Sequence, residues 1–221
     1  MAAEEPERHL EEARDYLARF AAALPSHVSA AELGVSETAP YKALVVREAL
    51  MWRTEETGRC ACDMLERGDV TSGILQTRAT LENAALIWRL RDVIRDRHKF
   101  PALEIDNLLS QLLLGSKKYP EPAAINILTL IDRLDKSVGI LRDGYDRLSE
   151  YSHPNYSGAA GLYSTIDRDK LTTYFGKRPS AQHAVDTLVA PTLRASLFIF
   201  ENTYNQITEL MPDWIAELTP I

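Results

Sequence analysis

Residues 74–90 read Ile-Leu-Gln-Thr-Arg-Ala-Thr-Leu-Glu-Asn-Ala-Ala-Leu-Ile-Trp-Arg-Leu. Ile74, Leu75, Leu81, Ala85 and Leu86 recur at about 100° per residue, the spacing of an amphipathic α-helix with one buried stripe. Arg78 and Glu82 project into the middle of that stripe. They stand four residues apart, so on a helix they meet each other. Charged side chains are rarely buried unless they are paired, and removing one partner of a buried pair costs about 3–5 kcal/mol. Two roles follow: a structural ion pair or network, drawing in Glu56 from the preceding helix, or the lining of a polar cavity that orients a reactive group.

Outward from this segment the chain stays helical. From Glu4 to Leu24 the apolar residues Leu10, Ala13, Leu17, Phe20, Ala21 and Leu24 form a stripe, ended by Pro25. Six acids against two arginines in the first sixteen residues make 1–24 an acidic helix. Thr38 before Pro40 reads as an N-cap with an early-turn proline. The next helix runs to Arg67, with Val45, Ala49, Trp52, Cys60 and Met64 on its expected stripe, and Gly68-Asp69 breaks it before the helix from Val70 to Asp96. A shorter helix follows Pro101. Residues 115–122 form a loop, and two helices lie between Ala123 and His153, divided near Gly139. Residues 159–178 form an insertion, a loop or a small β-hairpin with strands near 162–166 and 171–175. A last long helix over about 181–210 carries Pro191, where a kink is expected. The fold class is therefore all-α: a bundle of about five to seven helices in a single domain spanning 1–221, with no Pro/Gly/Ser-rich linker to divide it.

Composition narrows the function. The 221 residues are 45% hydrophobic and 26% charged, with a net charge of −7. Overall acidity argues against broad, nonspecific binding to nucleic acid, although it allows a local basic cleft. The most basic stretch, Arg89 to Lys99, reads either as the cationic end of a helix or as a phosphate-contacting patch. No apolar run is long enough to span a bilayer, and the acidic N-terminus has no apolar signal core, so a cytoplasmic protein without membrane association is expected. Cys60 and Cys62 lie two apart on a helix, point to different sides and read as reduced thiols. No P-loop, nucleophile elbow or dinucleotide fingerprint occurs, and Glu150-x-x-His153 lacks the second motif that a di-iron bundle needs, so neither a metal nor a cofactor is expected.

The second polar constellation is Gly144-Tyr-Asp-Arg-Leu-Ser-Glu-Tyr-Ser-His-Pro-Asn155. Leu141, Tyr145, Leu148 and Ser152 share one helix face, flanked by Ser149 and His153. His153 sits on the last turn before Pro154, with Asn155 just beyond; a helix C-terminus stabilises an imidazolium and suits titration near neutral pH. The plainer reading is a capping histidine whose neighbouring hydroxyls bond the preceding turn.

A helix with Arg-x-x-x-Glu at 78–82, followed by one that ends Tyr-x-x-x-Ser-x-x-x-His-Pro at 145–154, resembles the HEPN superfamily. Its members are compact helix bundles, often dimeric, and many are metal-independent endoribonucleases with an arginine and a histidine separated by four to six residues. The likeness covers about residues 40–210 in helix pattern and is specific around 78–82 and 145–155. It implies Arg147 and His153 as catalytic residues, with Arg78, Glu82, Tyr145, Ser149 and Asn155 binding or orienting, and RNA and a second copy of the chain as partners. Arg91–His98 and Arg178–His183 share the spacing, but only Arg147–His153 lies on a core-facing helix end. Six positions on a regular helix separate two side chains by about 120°. The arginine that serves His153 is therefore expected from a deformed last turn, from the helix that carries Arg78, or from a second subunit. Leu148 stands where nuclease members usually carry a polar residue, and the alternative is a non-catalytic helical module that binds a partner protein or a small ligand.

Overall fold

Two long helices joined by a three-residue turn form the centre of the molecule. The computed structural model describes residues 4–34, 38–118, 121–139, 141–177 and 179–218. The central pair is α3 (Thr38–Glu66) and α4 (Val70–Arg95), preceded by α1 (Glu4–Ala23) and a short α2 (Ala30–Leu33). The α3–α4 turn closes as a Schellman motif. The Gly68 amide donates to the Leu65 carbonyl at 2.9 Å and the Asp69 amide to Met64 at 2.8 Å, with Gly68 at φ 72°, where a side chain would be strained.

Beyond α4 come α5 (Ala102–Leu114), α6 (Ile127–Val138) and α7 (Leu141–Ser152), then the short α8 (Gly161–Tyr163) and a hairpin of β1 (Ser164–Asp167) and β2 (Thr172–Phe175). The hairpin is antiparallel, with Ser164 opposite Phe175 and Asp167 opposite Thr172. A 2.6 Å hydrogen bond between the Thr71 and Tyr163 hydroxyls and one of 2.9 Å from Lys177 Nζ to the Arg67 carbonyl tie it to the α3–α4 turn. The chain closes with α9 (Pro179–Ala184), a π-turn over Val185–Val189 and α10 (Ala190–Leu218). The all-α class with a small β insertion is thus what the residues form. No helix among the described residues is long and apolar enough to cross a membrane.

α4 packs chiefly on α3 and α10, with α1 laid across α3 and α10. Their shared core includes Leu17, Phe20, Met51, Ile74, Ile87, Leu90, Leu197 and Phe200. A second cluster lies on another face of α4, where Leu81, Ala84 and Ala85 meet Leu130, Ile131 and Leu134 of α6 and Leu141 and Tyr145 of α7. Because α4 is clad on several sides, its burial runs around most of its circumference. This is why Leu75, expected inside, is 46% exposed, while Thr77, Thr80 and Asn83, off the expected stripe, are wholly buried.

Buried polar residues largely satisfy one another. Between α3 and α4, Thr80 donates to Thr57, Asn83 donates to Thr57, and the Asn83 carbonyl accepts from Arg53 Nε at 2.9 Å. Between α3 and α10, Arg47 Nε donates to Glu48 at 2.7 Å, Arg47 Nη1 donates to Thr208, and the Tyr204 hydroxyl donates to the other Glu48 oxygen at 2.8 Å. Burial, reinforced by Glu48, pushes the Tyr204 phenol up to about 12.

Several expectations shift. The stripe assigned to α3 is rotated: Ala49 and Trp52 are exposed and Val45, Cys60 and Met64 half-buried, whereas Ala43, Leu50, Met51, Ala61 and Leu65 form the inner face. α3 is covered by α1, α4, α5 and α10, so no single narrow stripe describes it. Trp52 stays outside with its indole N–H donating to the Pro25 carbonyl. Glu56 is exposed and joins no network with Arg78; the buried acids of α3 are Glu48 and Glu55. Thr38 is the first residue of α3 rather than a residue before it. Pro191 is the second residue of α10, directly after the π-turn, whose widened geometry absorbs the missing donor. α10 also runs past Leu210 and across Pro212 to Leu218, because Met211 and Trp214 are buried on either side of that proline. The apolar stretch Ala195–Phe200 is covered within the chain, save for Phe198, whose ring meets Tyr16 edge-on.

Candidate functional site

Asp135 of α6 starts the site. Its carboxylate accepts from the backbone amides of Leu141 at 2.7 Å and Arg142 at 3.0 Å, which caps α7 and fixes its start beside α6. Along α7, Arg142, Tyr145, Asp146, Ser149 and His153 then fall on one stripe at spacings of three and four. That stripe, Arg78 of α4, and the segment 124–128 with Lys117 line one open cleft of about 640 Å³. Asn126 supports its rim as the N-cap of α6, its side-chain oxygen accepting from the Leu128 amide at 3.0 Å.

The floor is a three-residue cluster. Tyr145 is 1% exposed, and its hydroxyl donates to Glu82 at 2.9 Å while accepting from Arg78 Nη2 at 2.9 Å. The Arg78 guanidinium stands 5.0 Å from the Tyr145 ring centroid. Burial pushes the Tyr145 phenol above its ordinary range; the bond to Glu82 acts in the same direction and Arg78 against it. The pair expected to be buried is paired through one neighbour, but Arg78 and Glu82 keep 31% and 26% of their side-chain surface exposed, and Arg78 lines the cleft. Arg78 Nε lies 3.4 Å from Glu82, yet it makes no hydrogen bond there, and the buried Ser149 hydroxyl also has no partner among the described residues. Both atoms belong to residues that line the cleft. An unpaired buried polar atom costs about 1–3 kcal/mol, so two of them beside an opening suit a site completed by water or ligand.

His153 follows the last residue of α7 and is exposed, its amide bonded to the Glu150 carbonyl. The turn after it folds back tightly. Asn155 donates to Glu150 at 2.6 Å and accepts from the Gly158 amide at 3.0 Å. A Cβ on Gly158 would stand 2.0 Å from the His153 carbonyl oxygen, so only glycine permits that approach. Asn155 therefore braces the turn behind His153 and is not among the residues that line the cleft.

Arg147 is exposed and lines a different groove, with Thr187, Thr192 and Ala195. The regular helix turns it away from His153, as the 120° separation requires, and the arginines in the His153 cleft are Arg78 and Arg142. Arg142 is engaged by Asp132 and Asp146. Of the other spaced pairs, Arg91 is buried against Gln206 and Asp92, His98 faces Glu217, and Arg178 lies outside the described residues. Lys117, Asn126, Arg142 and Asp146 were not singled out from the sequence. The three- and four-residue spacing along α7 could have given Arg142 and Asp146, whereas the other two come from a loop and a helix cap that only the fold brings to the cleft. Among the described residues no group of three or more His, Cys, Asp or Glu side chains converges as a metal site would require.

No family model, curated protein or solved structure matches the chain.

Proposed function

We propose that this cleft binds the phosphodiester backbone of single-stranded RNA and that the chain is a HEPN-like, metal-independent endoribonuclease with His153 as its proton-transfer group. The observation that carries the reading is the presence of His153, Arg78 and the unpaired Ser149 hydroxyl in the wall of one open cleft. Arg78, not Arg147, takes the arginine role. Its part-exposed guanidinium supplies a charged donor group for a phosphate oxygen, and Lys117 adds positive charge at the rim. In the reaction, neutral His153 removes the proton of a 2′-hydroxyl and a bond forms from the 2′-oxygen to phosphorus. The phosphorus–5′-oxygen bond breaks, the 5′-oxygen takes a proton from the imidazolium, and the products are a 2′,3′-cyclic phosphate and a 5′-hydroxyl end. Ser149 and Arg78 hold the phosphate while its charge grows, and Tyr145 and Glu82 hold Arg78.

Pairing of two chains and a cytoplasmic location belong to the same proposal. The dimer now rests on the family resemblance alone, because Ala195–Phe200 needs no second copy to cover it. Light scattering that gives the mass of one chain at micromolar concentration removes it.

A binding module for a partner protein is favoured by a different observation. The hairpin carries Ile166, Leu171 and Phe175 at 61%, 91% and 80% exposure, an apolar surface that a protein partner would cover. The experiment that separates the readings is cleavage of single-stranded RNA in EDTA across neutral pH, wild type beside His153→Ala. The nuclease reading expects a loss of at least about a hundredfold in the variant. Absence of cleavage by the wild type, or equal cleavage by both proteins, removes it.

A further inference from the structure

The basic run Arg89–Lys99 at the end of α4 is neutralised almost throughout. Arg91 Nε donates to Asp92 at 3.0 Å, Arg95 Nη2 to Asp96 at 3.0 Å and Lys99 to Asp96 at 3.0 Å, while Arg97 is held by Glu217. Arg89 is the exception. It is half-buried and has no ion-pair or hydrogen-bond partner among the described residues. It lines a pocket of about 290 Å³ together with Arg133 of α6, which likewise has no ion-pair partner among them. Burial, followed by the like charge of Arg133, holds the Arg89 guanidinium below its ordinary range, although it remains a cation at any physiological pH. Asp92, Asp96 and Glu104 act on Arg89 without an ion pair or hydrogen bond to it, so the half-buried Arg89 and the exposed Arg133 both keep free donors at one pocket, where an anion could join them.

The remaining walls fit a nucleotide. Gln111 and Thr129 offer hydrogen bonds, and Leu108 gives an apolar surface for a base. The pocket is also contiguous with the His153 cleft, since Ala124, Ile125 and Asn126 line both. We propose that the Arg89–Arg133 pocket is a second phosphate subsite of the same ligand, reached by single-stranded RNA that passes from His153 over Asn126. The inference rests on the RNA-binding reading of the His153 cleft and makes that ligand a polymer rather than a mononucleotide or free phosphate. Guanidinium forks match phosphate oxygens, and a strand that engages both pockets displaces counterions at each.

The test is fluorescence anisotropy with a short single-stranded oligouridylate over a range of salt concentrations, in EDTA, beside inorganic phosphate as competitor. Cleavage of the same oligonucleotide and of a dinucleotide is measured in parallel. Arg89→Gln/Arg133→Gln is expected to weaken oligonucleotide binding by about tenfold and to flatten its salt dependence by about 0.7 per lost contact. The loss in cleavage is expected to grow with substrate length, small for the dinucleotide and large for the oligonucleotide. Arg133→Glu, at an exposed helix position, repeats the loss without disturbing the half-buried Arg89, and Arg95→Gln, already neutralised by acids, leaves affinity as it was. Unchanged oligonucleotide affinity and salt slope in both Arg133 variants overturn the subsite while the nuclease reading stands. Weakened binding without any cleavage by the wild type keeps the subsite and removes the nuclease. Binding fully displaced by equimolar inorganic phosphate, or no binding of RNA by the wild type, overturns the polymer ligand.

Discussion

Two clusters of the same three residue types bridge different pairs of helices. In one, Arg47, Glu48 and Tyr204 join α3 to α10; in the other, Arg78, Glu82 and Tyr145 join α4 to α7. In each, a tyrosine donates to a glutamate, and an arginine stands 4.5 or 5.0 Å from the tyrosine ring centroid. They differ in how completely their hydrogen-bonding capacity is used. Arg47 and Glu48 keep 13% and 11% of their side-chain surface exposed, and Arg47 spends its donors on Glu48 and Thr208. Arg78 and Glu82 keep 31% and 26%, Arg78 Nε makes no hydrogen bond among the described residues, and Arg78 lines an open cleft. The difference separates a network whose hydrogen-bonding capacity is spent on the fold from one that keeps spare donors beside an opening. Orphaned hydroxyls by themselves are no better guide, since Thr54 and Thr77 also lack partners but lie wholly buried between α3 and α4.

Breaking each cluster in turn tests that distinction, and the largest effect belongs to the closed one. Glu48→Ala leaves Arg47 and the Tyr204 hydroxyl without their main partner and is expected to destabilise the fold by about 2–3 kcal/mol, with RNA affinity unchanged in the protein that remains folded. Chemical denaturation gives the first quantity and anisotropy the second. Arg78→Ala reverses the pattern. Water reaches the atoms it leaves behind, so the stability loss is about 1 kcal/mol, less than full burial would have implied, while RNA affinity falls about tenfold.

Alkaline pH probes the same contrast without a mutation. The Tyr204 phenol is raised in the folded state from 10.0 to about 12, so its contribution is fully present below pH 10 and is lost as pH rises towards 12. Stability measured across that window should decline, and Tyr204→Phe should make the decline shallower. A decline as steep in Tyr204→Phe as in the wild type would count against the closed network. Smaller still is Ser149→Ala. Removing an unpaired hydroxyl leaves stability within about 0.5 kcal/mol of the wild type but lowers RNA affinity, which no structural role for that hydroxyl would explain.

The sequence carried the helices well because their apolar spacing and stop signals are local. Gly68, Pro101 and Gly139 all fall at the breaks they imply. The inner face of α3 is not legible locally because a helix covered from several directions has no single polar face, and the Arg47–Glu48–Tyr204 cluster is not legible because its pairing joins residues 156 apart. At the cleft, Arg78, Glu82 and Tyr145 were legible as polar residues among apolar ones. Arg147 was carried in by a spacing motif that the geometry of a regular helix opposes. Arg89 was visible only as one cation in a run of five; that its neighbours are neutralised while it is not depends on acids at 92, 96 and 217 in the folded chain.

The central claim is that an anionic ligand sits against His153, Arg78 and Ser149. It is tested most directly by following the ring resonances of the five histidines by NMR while single-stranded RNA is added to the Ser149→Ala and wild-type proteins in turn. The account predicts that the His153 resonances of the wild type shift with the RNA while those of His9 and His27, far along the chain on α1 and the loop after it, stay fixed, and that Ser149→Ala needs more RNA to reach the same shift. Resonances of His153 that stay fixed at saturating RNA, or that move only in step with those of His9 and His27, would contradict it.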